Sequence, residues 1–234
     1  MPGVELAKGL EAVGESFSLE RFLDVRARTR ACVNEIASKI APGMAEDDAR
    51  RIAGDILAER GMKKGWHKIL VRFGVNTAKN FEDVAEPGVV LGENDIFFID
   101  IGPIYEATEG DAGDTFTFGN DAEKVRAAGD VKELWWAVRK KWAESKLTGA
   151  ALYEFAGNTA QTMGWQLNLE LTGHRLSEFP HDAHYNGTMS AVGFRPSSGL
   201  WVLEIQIKHP EREFGAFFED LLIEDDALQR SIFT

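Results

Sequence analysis

Asp95-Ile96-Phe97-Phe98-Ile99-Asp100-Ile101-Gly102 reads as an apolar strand with an acid set inside it. Downstream, Gly113-Asp114-Thr115-Phe116-Thr117-Phe118-Gly119 alternates as a half-buried strand does. Gly110, Asp111 and Gly113 lie between the two, which marks a hairpin with a wide, glycine-bearing loop. Asp100 and Asp114 are equidistant from Ala107, the middle of that connection. Antiparallel pairing about this centre predicts the two carboxylates roughly opposite one another. Like charges directly opposite are destabilising; a shared cation reverses that sign.

Two later acids occupy similar positions. Period-two alternation in Leu200-Trp201-Val202-Leu203-Glu204-Ile205-Gln206-Ile207 puts Glu204 on the face of Val202 and Gln206. In Phe217-Phe218-Glu219-Asp220-Leu221-Leu222-Ile223, Glu219 shares a face with Phe217, Leu221 and Ile223. Strands are depleted in Asp and Glu, and a buried carboxylate is costly unless something neutralises it. For any one acid alone, a salt bridge to a buried Arg or Lys is the simpler reading. Taken with the segment Leu171-Thr172-Gly173-His174, the candidate ligands are Asp100, Asp114, His174, Glu204 and Glu219. Hard oxygen donors with one nitrogen suit a pair of divalent cations. His181 and His184 follow His174 closely, with Pro180 between, and spacing alone does not say which of the three binds metal.

The order Asp, Asp, Gly-His, His, Glu, Glu, with seven residues from His174 to His181, resembles the creatinase/aminopeptidase superfamily, metallopeptidase family M24-like. Its members include methionine aminopeptidases, aminopeptidase P, prolidase and creatinase. The resemblance runs from about Leu19 to Glu224. Ala41-Pro42-Gly43-Met44-Ala45-Glu46 is similar to the family's connection between two helices, and Phe73-Gly74-Val75-Asn76-Thr77-Ala78 to its approach to the active site. The resemblance implies an α+β pita-bread fold: a curved antiparallel sheet covered by helices, in two pseudo-symmetric halves.

It also implies chemistry. Two divalent ions (Mn, Co, Fe or Zn) would activate a bridging water. Asp100 would chelate one ion, Asp114 and Glu219 would bridge both, and His174 and Glu204 would complete the other. Glu204 would double as general base, and His181 would stabilise charge on the substrate carbonyl without binding metal. Trp66, Phe81, Phe179 and His184 are the candidates for the substrate pocket. The implied activity is hydrolysis of a short peptide (Xaa-Pro or an N-terminal residue) or a related small amide. The alternatives are creatinase-like C–N cleavage of another small molecule and a non-catalytic binding module.

The chain departs from the family pattern in four places. Phe81 stands where a histidine usually follows Asn-Thr-Ala, which predicts weak peptidase activity. Asp100 and Asp114 are fourteen apart, where members usually show eleven. Arg175-Leu176-Ser177-Glu178 replaces a Gly-rich continuation, and the interval from Glu204 to Glu219 is short.

A chain of 234 residues, 44% hydrophobic, can bury a sizeable core as one domain, expected over residues 1–234. The net charge of −12 argues against nucleic acid as a partner. The N-terminus has no basic stretch followed by an apolar run, so no membrane segment is expected and the cytoplasm is the default. A homodimer is the commonest soluble assembly. Apolar spacing predicts a helix from Phe22 to Ile40 and another from Glu46 to Gly61. Further helices are expected over about Ala122–Lys141, broken at Gly129-Asp130, and Thr148–Met163. Strands are expected near Lys68–Gly74, Leu167–Thr172, Trp201–Ile207 and Gly215–Ile223. Cys32 reads as a core residue. Trp135, Trp136, Trp142 and Trp165 read as core or interface, with one exposed at a subunit contact. His67 and His209 read as surface or local hydrogen-bonding residues.

Overall fold

Ser18 opens the first long helix by accepting a 3.3 Å hydrogen bond from the Arg21 N–H. Helix α1 (Leu19–Lys39) buries Phe22, Val25, Val33 and Ile36 at the expected spacing. Cys32 is buried on the same helix, with its Sγ 3.3 Å from the Tyr105 hydroxyl. Helix α2 (Glu46–Glu59) begins with Glu46, Asp47 and Asp48, charges that suit the positive end of the helix dipole. The computed structural model describes residues 9–15, 17–178, 185–231 and 233.

The strands are β1 (Lys64–Gly65), β2 (Leu70–Phe73), β3 (Ile96–Ile101), β4 (Pro103–Tyr105), β5 (Thr108–Glu109) and β6 (Ala112–Thr117). Helices α3 (Ala122–Glu144) and α4 (Gly149–Thr162) intervene, followed by β7 (Gln166–Leu167), β8 (His174–Arg175), β9 (Trp201–Lys208), β10 (Gly215–Leu221) and the short α5 (Asp226–Arg230). The main sheet runs β2-β3-β6-β10-β9-β7, with β8 also paired to β9, and every ladder is antiparallel. A smaller sheet, β1-β4-β5, sits beside it. Helices α1 and α2 pack against β2 and β3 to make one core. Helices α3 and α4 pack against β9 and β10 to make the other. The fold is the expected α+β arrangement of a helix-covered antiparallel sheet.

Two local expectations are corrected. Helix α3 passes through Gly129-Asp130 unbroken. Gly129 lies on the exposed side, while Ala127, Val131, Leu134 and Trp135 bury the helix on either side of it. The strand expected over Leu167–Thr172 stops at Leu167. There the Asn168 carboxamide accepts from the Glu170 N–H at 3.1 Å and turns the chain. Trp135 and Trp142 are fully buried, and their indole N–H groups donate to the Leu203 and Pro196 carbonyls at 2.8 Å. Trp136 is half-buried, with Phe233 5.7 Å away and the Arg230 guanidinium 4.5 Å above its ring. No helix among the described residues is long and apolar enough to cross a membrane.

Candidate metal centre

The register of the sheet assembles the site. Asp100 on β3 pairs with Gly113 on β6, Gly113 with Glu219 on β10, and Glu219 with Glu204 on β9. Directly paired residues point to the same face. Asp100, Glu219 and Glu204 therefore form a row across the sheet, with Gly113 as its one bare position. A Cβ on Gly113 would lie 2.4 Å from the Phe217 ring and 3.0 Å from Glu219 Oε1, so glycine makes room for the carboxylate beside it. One step along, His174 on β8 pairs with Val202, two residues from Glu204 and so on the same face.

Asp114 is not in this row. It pairs with Ile99, which turns it to the opposite, helix-covered face. There its carboxylate lies 2.7 Å from Lys132 Nζ on α3 and 3.7 Å from Arg30 Nη1 on α1. The hairpin expected from sequence was one residue out of register, and a one-residue slip exchanges the faces of every side chain in a strand. Asp111, two residues before Gly113, takes the place expected of Asp114. The step from Asp100 to Asp111 is eleven, the interval usual in the family, and that spacing was the signal in the sequence.

Four carboxylates and two imidazoles converge. Asp111, His174, Glu204 and Glu219 form one group with donor atoms within 4.8 Å of one another, and His67, Asp100 and Asp111 form a second. The Asp111 carboxylate belongs to both. Its Oδ2 lies 2.8 Å from His174 Nε2, and its Oδ1 lies 3.3 Å from His67 Nε2. His174 Nε2 is also 3.1 Å from Glu204 Oε1. His67, expected as a surface or local hydrogen-bonding residue, lies 2.7 Å from the Lys68 carbonyl through Nδ1 and is also part of the site. It sits between β1 and β2, where no periodicity marks it.

The electrostatics are those of crowded buried acids. Burial raises Asp100 to about 7, against the pull of His67. Burial and the carboxylates of Asp111, Asp100 and Glu204 raise Glu219 well above the usual carboxylate range. Burial would raise Asp111 too, but hydrogen bonds to His174 and His67 hold it down at about 2. Glu219 Oε1 is buried with no hydrogen-bond partner among the described residues. An orphaned carboxylate oxygen is costly, and in a site of hard oxygen and imidazole donors a divalent cation would satisfy it. The residues fit such ions: the four carboxylates, when ionised, match the charge of two divalent cations.

A cavity of about 220 Å³ opens over the row, walled by Trp66, Phe81, Leu171, Thr172 and Thr188. Of the residues expected at the site, Asp100, His174, Glu204, Glu219, Trp66 and Phe81 line this cavity. Phe179, His181 and His184 lie outside the described residues. The segment Gly74–Ala78 forms a 3₁₀ turn whose Asn76 is fully buried and donates to Glu46 Oε2 at 3.0 Å. Gln206 donates to the Thr77 and Lys79 carbonyls at 3.1 and 3.0 Å, which ties the loop carrying Phe81 to β9.

A family model described as metallopeptidase family M24 matches residues 20–224. The chain belongs to metallopeptidase family M24. Similar solved structures include a prolidase from Pyrococcus horikoshii OT3, 18% identical with a TM-score of 0.74, over 95% of this M24 chain and 64% of that one. An X-Pro aminopeptidase from Thermotoga maritima MSB8 is 16% identical with a TM-score of 0.72, over 92% of this chain and 60% of that one. The M24 chain thus spans less than two thirds of either protein. A methionine aminopeptidase from Thermotoga maritima is 16% identical with a TM-score of 0.68, over 92% of this chain and 96% of that one. At these identities the likeness carries the fold alone. No curated protein matches the chain.

Proposed function

We propose that this chain is a hydrolase of the M24 peptidase type that uses two divalent metal ions to cleave the amide of a short peptide or a related small molecule. The observation that carries the reading is Asp111, whose two oxygens face different imidazoles on the sheet face it shares with Asp100, Glu204 and Glu219. Asp100, Asp111, His174, Glu204 and Glu219 would hold the ions. When bound, such ions lower the pKa of a water towards neutrality and polarise a substrate carbonyl.

The remaining chemistry belongs to the side chains. Glu204, 3.1 Å from His174 and open to the cavity, accepts the proton of the attacking water and returns it to the leaving amine. Trp66, Phe81 and Leu171 give the cavity apolar walls that orient a substrate and exclude bulk water. The cavity, about 220 Å³, is below the ~300–1,000 Å³ of typical ligand pockets. That favours a small substrate. His181 keeps the charge-stabilising role that the resemblance gives it.

Phe81 supports a second reading. It lines the cavity where peptidases of the family carry a histidine, so creatinase-like C–N cleavage of a small molecule that is not an amide fits the same carboxylates. Assay of the protein with Mn²⁺ or Co²⁺ on Xaa-Pro dipeptides, Met-peptides and amidino or methylamine compounds separates the two. Turnover of a peptide, lost in Glu204→Gln, supports the first reading. Turnover of the amidino or methylamine compounds alone supports the second. No turnover of any class with both ions bound would refute hydrolysis.

A further inference from the structure

His67 has the same construction as His174. Its Nδ1 lies 2.7 Å from the carbonyl of the next residue, Lys68, just as His174 Nδ1 lies 3.1 Å from the carbonyl of Arg175. An Nδ1–H donating to a carbonyl leaves the Nε2 lone pair free and fixes the ring, the arrangement that metal-bound histidines adopt. Each Nε2 then faces a different oxygen of Asp111 and one further carboxylate. For His174 that carboxylate is Glu204; for His67 it is Asp100, with 3.6 Å between Nε2 and Oδ1.

The backbone is shaped to admit this ring. Gly102 follows Asp100 by two residues and so faces the same side. A Cβ there would lie 2.1 Å from His67 Cδ2 and 2.2 Å from its Nε2. The imidazole therefore rests on bare backbone. Trp66 holds the approach: its indole donates to the Gly110 carbonyl at 2.9 Å, and its ring lies 4.5 Å from His67 and 4.9 Å from His174. Phe81 closes the far side, with its ring edge-on to His67 at 5.8 Å.

We propose that His67 is a metal ligand, so that Asp100, Asp111 and His67 hold one ion and each of the two ions has an imidazole. The inference rests on the dinuclear reading above and goes beyond the ligand set implied by family resemblance, which has one histidine. The distances fit a shared ion. His67 Nε2 stands 3.3 Å from Asp111 and 3.6 Å from Asp100, facing two carboxylates at once. Donor atoms about 2.0–2.2 Å from a common ion lie roughly 3.0–3.5 Å apart. A nitrogen donor also shifts an otherwise all-oxygen site towards Co²⁺, Fe²⁺ or Zn²⁺ and away from Mn²⁺.

Titration of the metal-free protein with Co²⁺, followed by calorimetry and visible absorption, tests this without any substrate. Wild type should take up two equivalents. His67→Ala should keep one and bind the other at least about 100-fold more weakly, with loss of part of the absorption band. Gly102→Ala, which leaves the imidazole in the chain but displaces it, should weaken the same equivalent. X-ray absorption on the Co²⁺ protein should count one imidazole per metal in wild type. Far-UV circular dichroism of the metal-free variants confirms that they fold. Uptake of fewer than two ions by wild type overturns the dinuclear reading itself. Uptake of two by wild type, with the affinities and spectrum unchanged in folded His67→Ala, overturns the His67 assignment alone and leaves that histidine an ion-pair partner.

Discussion

Replacing Asp111 and Asp114 in turn by asparagine separates the proposed metal ligand from a structural acid three residues away. Asp111→Asn removes the carboxylate shared by both donor groups. Both ions should bind at least about 100-fold more weakly, since even partners of metal ligands are worth 10–100-fold in affinity. Asp114→Asn should leave both ions bound and lower stability instead. Its Lys132 partner is 37% exposed, so solvent screens that contact. Its Arg30 partner is 2% exposed but keeps its bonds to the Gly113 and Glu219 carbonyls. Exposed pairs are worth ~0.2–1 kcal/mol and broken buried pairs cost ~3–5 kcal/mol. This half-screened site falls between, at about 1–3 kcal/mol. At ~2–4 °C per kcal/mol for a domain of this size, the melting temperature should drop by roughly 2–12 °C. Metal analysis of protein purified without chelator, with a thermal melt of the metal-free form, reads both effects. An Asp114→Asn protein that loses its metals while Asp111→Asn keeps them would refute the register argument.

Metal binding at pH 7 should release protons. Burial holds Asp100 at about 7, burial and neighbouring carboxylates hold Glu219 well above its usual range, and His67 is raised to about 9 by Asp100 and Asp111 despite its burial. Ligands must be deprotonated, so apparent affinity should climb with pH up to about 9; a binding enthalpy identical in buffers of different ionisation enthalpy counts against this. Phe81→His should raise peptide turnover by up to about 100-fold, the lower scale of one acid–base group; unchanged or lower kcat/KM on Xaa-Pro and Met-peptides shows that this position does not limit the reaction. His181→Ala should keep both ions and lower kcat by roughly 100-fold or more; a crippled His184→Ala beside a near-normal His181→Ala would move the role to His184.

Helices α1, α2 and α4 and the four long strands were legible: Phe22, Val25, Val33 and Ile36 mark one face of a helix, and Ile96–Ile101 is an apolar run interrupted only by Asp100. Glu204 and Glu219 were legible as acids inside apolar strands, and the fold brings both into one donor cluster. The register of β3 against β6 was not. The inner hairpin β4–β5, which pairs Ile104 with Glu109, and the outer ladder, which pairs Asp100 with Gly113, share a centre between Glu106 and Ala107, so centring the connection on Ala107 itself moves every pair by one residue. His67 was illegible because it lies between short strands, and its partner glycine, Gly102, is distant in sequence. Only the fold brings the imidazole over that bare Cα.

The acid row also needs support from behind, and this gives Asp114 its purpose. Strands β6 and β10 meet at a single register pair, Glu219 with Gly113, which lies within the row itself. Two devices strengthen that thin contact. The Thr115 hydroxyl donates to the Phe217 carbonyl and accepts from the Phe217 N–H, both at 2.7 Å. The Arg30 guanidinium, from α1, donates to the Gly113 carbonyl at 3.0 Å and to the Glu219 carbonyl at 2.6 Å, joining the two strands at the row. A buried guanidinium is itself costly without a counter-charge, and Asp114 supplies one at 3.7 Å. Asp111 and Asp114 thus act on opposite faces of one hairpin. Asp111 meets the imidazoles and the ions they would hold. Asp114 helps to neutralise the arginine that keeps Glu219 in line with Asp100, so its loss should loosen the row without removing a donor from it.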